Sequence, residues 1–142
     1  MFKSKIVHNK LVYEIDEVTC KKLLERADKI VVNAFPKTSP NKFAVAVLTK
    51  KGNIYEGISY GSDTGTLTMH SEATALAHAA IHGETEIIAI TGPNCHICKQ
   101  LIYENSIRSG IDIVVVFKEN NEIKQLPISS MMPYPWPEKP IK

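Results

Sequence analysis

The 142-residue sequence is short of several things at once, and each shortage excludes a class of protein. Three cysteines are too few, and odd in number, for a disulfide framework, so free thiols in a reducing compartment are expected. Arginine occurs only as Arg26 and Arg108. Proteins that read nucleic acid lean on guanidinium for bidentate phosphate and base contacts, so nucleic acid is an unexpected partner, although fifteen lysines could still form a basic patch. A net charge of +2 is too small to announce a polyanion by itself. No run approaches the roughly 18 apolar residues of a membrane span. Met1 to Lys10 alternates charge with single apolar residues and forms no signal-peptide core, which makes the cytoplasm the expected location.

What is present is ordinary globular material, 44% hydrophobic and 23% charged. The length suits one domain over 1–142, with 1–15 as an N-terminal arm and 133–142 as a proline-rich tail. Asp16 to Ala34 has Leu24, Ala27, Val31 and Ala34 at helical spacing, Asp16 or Thr19 as N-cap, and Pro36 as its stop. Residues 1–15 fit either a short strand or a covering arm. Phe43 to Thr49 and Asn53 to Ser59 are β-rich runs joined by Lys50-Lys51-Gly52, an antiparallel hairpin pattern. Met69 to His82 reads as a second helix with Ala73, Leu76, Ala77 and Ala80 on its apolar stripe and Gly83 after its end. Glu86 to Thr91 and Ile111 to Phe117 read as buried strands flanking a helix from Cys95 to Arg108, with Asn94 as its N-cap. The short link Lys118-Glu119-Asn120-Asn121 sends Ile123 to Ile128 back antiparallel beside the strand before it.

Two patterns could carry chemistry. Cys95-His96-Ile97-Cys98 spaces two thiols so that one metal ion can take both at the start of a helix, where the N-terminus favours thiolate. A redox dithiol or two small buried residues are the plainer readings of the same tetrapeptide. His-x-Glu occurs twice, at His70-Ser71-Glu72 and His82-Gly83-Glu84. The second sits at a helix end against glycine and reads as a capping sequence; the first opens a helix. His78 reads as packed or solvated, His96 faces away from a metal shared by its flanking thiols, and His8 has no context. Strand then helix, twice over, brings both helix N-termini to one end of a sheet. His70, Cys95 and Cys98 could then hold zinc with one position left for water, and Glu72 beside it could move that water's proton.

In these residues the chain resembles the zinc-dependent cytidine deaminase superfamily, with its His-x-Glu followed by Pro-Cys-x-x-Cys. The resemblance runs from about Leu23 to Trp136. Phe43 to Leu48 and Gly52 to Gly57 are similar to the family's first two strands, and Cys95-His96-Ile97-Cys98-Lys99-Gln100 to the Cys-Gly-x-Cys-Arg-Gln of the free-nucleoside and blasticidin S deaminases. The antiparallel last strand points to the same branch. The resemblance implies a three-layer α/β fold, a mixed five-stranded sheet with helices on both faces. It implies one zinc ion per chain on His70, Cys95 and Cys98, proton transfer by Glu72, Phe43 and Ser59 at the substrate, and a homo-oligomer, dimer or tetramer.

The implied activity is hydrolytic deamination of a free cytosine-type nucleoside, namely cytidine, deoxycytidine or a blasticidin S-like analogue. The alternatives are a deaminase of another nucleobase or of polynucleotide, and a catalytically silent zinc-binding domain. The sequence also departs from the family. Its first ligand is His70 where the free-cytidine enzymes usually have cysteine. The ribose-gripping Asn-x-Glu is replaced by Ser59 and Gly61, and the proline before the first cysteine is Asn94, with Pro93 one place early.

Overall fold

The computed structural model describes residues 2–142, and its first feature settles the N-terminal segment. Strands β1 (Lys3–Val7) and β2 (Lys10–Glu14) form an antiparallel hairpin turned by His8 and Asn9, both at positive φ. The hairpin is tied down near both of its ends: Leu11 N, close to the turn, donates to Gly110 O at 2.9 Å, and Gln125 exchanges two hydrogen bonds with the backbone of Ile15 just after β2. Within the described part of this arm, 3–14 is thus a two-stranded hairpin that also covers.

Helix α1 (Glu17–Ile30) starts at Asp16, whose carboxylate accepts from the Thr19 amide at 3.0 Å. It buries Cys20, Leu23 and Ala27, not the expected line through Leu24 and Val31. It also ends earlier than Pro36 requires. A 3-10 turn follows at Val31–Asn33, because Phe35 is pulled out to pair with the second sheet edge: Phe35 N donates to Ser59 O and Gly61 N to Phe35 O. Strand-like pairing there outweighs helical propensity.

Strands β3 (Ala44–Thr49), β4 (Ile54–Ile58), β5 (Ile87–Thr91), β6 (Val114–Glu119) and β7 (Glu122–Pro127) form a sheet in the order β4-β3-β5-β6-β7. Gly52 supplies positive φ in the β3–β4 turn, and Asn120 and Asn121 supply it between β6 and β7. Strands β5 and β6 pair parallel; the last strand is antiparallel to β6, as the short link requires. One face packs Ala46, Leu48 and Val116 against Leu23 and Ala27 of α1. The other packs Val47, Ile90 and Val115 against Ala75 and Ala79 of helix α2 (Ser71–Ile81) and Ile102 and Tyr103 of helix α3 (His96–Ser109). This is the three-layer arrangement expected.

The apolar stripe of α2 is not the one its hydropathy predicts. Ser71, Glu72, Ala75 and Ala79 are buried, while Ala77 and Ala80 face solvent and Ala73 and Leu76 are half-covered. The close approach of Gly57 on β4 explains the choice, since only the smallest side chains fit where two backbones nearly touch. The tail folds back on α3 of the same chain: Gln100 donates to Trp136 O and Tyr103 to Pro137 O, leaving the rings of Tyr134 and Trp136 outside.

Candidate active site

Strand direction alone assembles the site. Because β4 and β5 both run antiparallel to β3 between them, they point the same way, and the helices that follow them start at the same end of the sheet. The loop entering α2 is held by Tyr60 and Met69, which exchange backbone hydrogen bonds at 3.0 and 2.8 Å. His70 then stands at the N-cap of α2, yet its imidazole caps nothing. It turns across to α3, where its Nδ1 lies 3.2 Å from Cys98 Sγ and 3.5 Å from Cys95 Sγ.

Cys95 occupies the N-cap of α3, its sulfur accepting from the Cys98 amide at 3.4 Å. Asn94, expected to be that cap, does something else. A capping role needs its side chain over the first turn, and the amide is instead drawn inward between two acceptors, Glu72 Oε2 at 2.7 Å and Thr91 O at 3.1 Å.

The ligand atoms of His70, Cys95 and Cys98 lie within 4.8 Å of one another. Tetrahedral zinc, with about 2.3 Å to sulfur and 2.0 Å to nitrogen, sets such atoms roughly 3.6 Å apart, close to the 3.2 and 3.5 Å from His70 Nδ1 to the two sulfurs. Two thiols and an imidazole are zinc's preferred donors, and three leave a fourth position free. His70 and Cys95 are exposed on the cavity side, and Cys98 is buried. Burial, the neighbouring Cys95 and the Glu72 carboxylate push the Cys98 thiol well above its ordinary range, so a metal must displace its proton.

Glu72 is 6% exposed, in the first turn of α2. Both its oxygens accept hydrogen bonds, from Ser71 Oγ at 3.1 Å and from Asn94. It lines a cavity of about 510 Å³ together with His70, Cys95, Phe43 and Ser59. Ser59 Oγ accepts from the Phe43 amide at 3.0 Å, which leaves its hydroxyl proton to donate. Gly61 also lines the cavity, without a side chain to offer. The mouth is framed by Phe35, whose ring stacks on Tyr60 at 4.5 Å.

The other histidines take no part in the metal group. His78 Nδ1 lies 2.8 Å from Glu56 O, His82 stacks on Tyr55, and His96 is exposed. Glu84 corrects the reading of His82-Gly83-Glu84 as nothing more than a cap. Its carboxylate is buried and accepts from Thr49 at 2.6 Å, Asn53 at 2.8 Å and Tyr55. Those donors hold it below the ordinary carboxylate range despite burial. Nothing near position 84 in the sequence signals this, because the three donors come from the β3–β4 hairpin.

A three-layer α/β protein with two helix N-termini presenting one histidine and two cysteines beside a buried glutamate defines a zinc-site deaminase scaffold. The sequence pattern of the cytidine and deoxycytidylate deaminase zinc-binding region matches residues 18–117, and the chain belongs to that family. Solved structures agree on the fold. The cytidine deaminase of Burkholderia pseudomallei superposes with a TM-score of 0.69 at 21% identity, covering 82% of this chain and 98% of that one. That of Mycobacterium tuberculosis gives 0.71 at 14% identity, over 87% and 99%. That of Bacillus anthracis gives 0.62 at 14%, over 83% and 89%.

Proposed function

We propose that the chain is a zinc-dependent hydrolytic deaminase of a free cytosine-type nucleoside: cytidine, deoxycytidine or a blasticidin S-like analogue. The observation that carries the proposal is the buried Glu72 carboxylate at the cavity wall beside the His70, Cys95 and Cys98 donor group. Zinc would be held by His70, Cys95 and Cys98, and when bound it would supply activation of a water by lowering its pKa toward about 7. Glu72 would take the proton given up by the water that attacks the amino-bearing ring carbon and pass it to the ring nitrogen, then carry the proton of the new hydroxyl to the departing amine, so that two protons are taken and two returned. The balance is water plus the amine giving the uracil-type product plus ammonia. Phe43 offers an apolar face to the base, and the Ser59 hydroxyl offers one donor where the family's ribose clamp would stand.

Among the described residues the cavity wall carries Asp63 and Glu72 but neither lysine nor arginine, which favours an uncharged nucleoside over a phosphorylated or polymeric substrate. The exposed rings of Tyr134 and Trp136 support a homo-oligomer, dimer or tetramer, that covers them. Light scattering of the chain ended after Met132 should then show a smaller assembly.

Ammonia release tests the activity, using zinc-loaded protein with cytidine, deoxycytidine and blasticidin S side by side. Turnover should fall by a factor on the order of 100 to 10,000 in Glu72→Ala while zinc stays bound. A folded, zinc-bound variant with full activity would remove Glu72 from the mechanism. Activity confined to single-stranded RNA, with steep salt dependence, would favour the polynucleotide reading instead.

A further inference from the structure

The Asn94 side chain is 7% exposed, and all its hydrogen bonding runs through one atom. Nδ2 gives one proton to Glu72 Oε2 and the other to Thr91 O, at the end of β5. Since both neighbours are acceptors, the orientation of the amide is decided: its nitrogen faces them. Oδ1 is left buried without a hydrogen-bond partner. A buried acceptor without a partner is destabilising, so a residue that served only to fill this volume would do better as an apolar side chain. The backbone also makes room for this amide. A Cβ on Gly92 would lie 2.8 Å from Asn94 Oδ1 and 2.7 Å from a Val115 methyl, a crowding that glycine avoids.

The contact joins three elements of the fold. Glu72 sits on α2, Asn94 immediately before α3, and Thr91 on the central parallel strand. With Ser71 Oγ on the other oxygen, the carboxylate is held at both ends and cannot swing about its last torsion. A glutamate side chain has three soft torsions, and misplacing a proton-transfer group by an ångström costs about 100-fold in rate.

We propose that Asn94 is the positioning residue for Glu72, tying its carboxylate to the end of β5 in the orientation that turnover needs. The inference rests on the deaminase reading above, and it places an amide clamp where the family's pattern has proline.

The test is a four-protein cycle of zinc-loaded wild type, Asn94→Ala, Glu72→Asp and the double variant, each assayed for zinc content, KM and kcat with the best nucleoside. Glu72→Asp shortens the side chain by one methylene, so its carboxylate no longer reaches the amide. Asn94→Ala should keep its zinc and hold KM within about twofold while losing kcat by a factor on the order of 10 to 100. In the Glu72→Asp background the same substitution should cost less than about threefold. An equal loss in both backgrounds would mean that Asn94 acts through general packing, and would overturn the proposal. So would an Asn94→Ala protein with wild-type kcat, or one whose defect lies wholly in KM or in zinc content. Wild-type protein that releases no ammonia would overturn the deaminase reading and this proposal with it, whereas failure confined to the Asn94 variants would leave the deaminase reading standing.

Discussion

Gly57 and Ala75 meet backbone to backbone: a Cβ built on Gly57 would lie 2.2 Å from the Ala75 amide nitrogen and as close to the Ser71 carbonyl oxygen. The strand and the helix that presents His70 and Glu72 are therefore in direct contact along their main chains. Glycine at 57 sets how far His70 stands from the sheet.

Gly57→Ala should be among the most damaging one-carbon additions available in this chain. Both atoms it meets are backbone, so relief requires α2 to move away from β4, carrying His70 away from the cysteines. Overpacking of this kind costs about 1 to 3 kcal/mol, here at the upper end or above. Urea unfolding should show that loss, and zinc affinity should drop with it. A variant with unchanged midpoint and unchanged zinc binding would mean that the helix has slack the contact does not reveal.

The three thiols should separate cleanly by reactivity. Cys95 is exposed and should react first with an alkylating reagent in metal-free protein. Cys20 is buried and its thiol is pushed up to about 11 by burial and by Asp16 and Glu17, so it should react only on unfolding. One equivalent of zinc should protect Cys95 and Cys98 together. Because Cys98 must give up a proton held more tightly than usual, zinc affinity should fall as pH is lowered. Mass spectrometry of partly alkylated protein reads all of this; zinc that leaves Cys95 as reactive as before would remove it from the metal site.

Glu84 makes part of the fold's stability depend on pH. Its folded pKa lies below the ordinary 4.5, through hydrogen bonds from Thr49 and Tyr55 that outweigh burial. Such a group stabilises the folded state above its unfolded pKa, and that contribution disappears as pH falls through the lower, folded value. Glu84→Gln turns one of two acceptor oxygens into a donor, set against either Thr49 or the pair Asn53 and Tyr55, and should lower the thermal midpoint at pH 7. The gap to wild type should close once the pH is well below 4.5. Thermal scans from pH 3 to 7 check this, and a gap independent of pH would mean that the loss is one of packing alone.

Much of the fold was legible because its signals are local. Gly52 and Gly83 mark a turn and a helix end through positive φ, which glycine adopts without strain. Asn120 and Asn121 do the same for the last hairpin, and its shortness left antiparallel pairing as the only choice. The buried stripe of α2 was not legible. In an alanine-rich helix hydropathy offers little contrast, and Ala75 and Ala79 rather than Ala73 and Ala77 face inward because of Gly57, fourteen or more residues away.

The same division runs through the site. His70, Glu72, Cys95 and Cys98 could be picked out because their spacing at two helix starts is a property of the chain itself, and the alternation of strand and helix sends those starts to one sheet edge. The sequence by itself thus determined the layers, the strand directions and which candidate donor residues lie at the two helix starts. Only the tertiary structure decided that Asn94 serves Glu72 instead of capping α3, and that Glu84 is a buried acceptor instead of a cap. Both residues have short-range uses that a sequence pattern can see and long-range partners that it cannot. Which use prevails depends on where other segments place their acceptors and donors after the chain has folded.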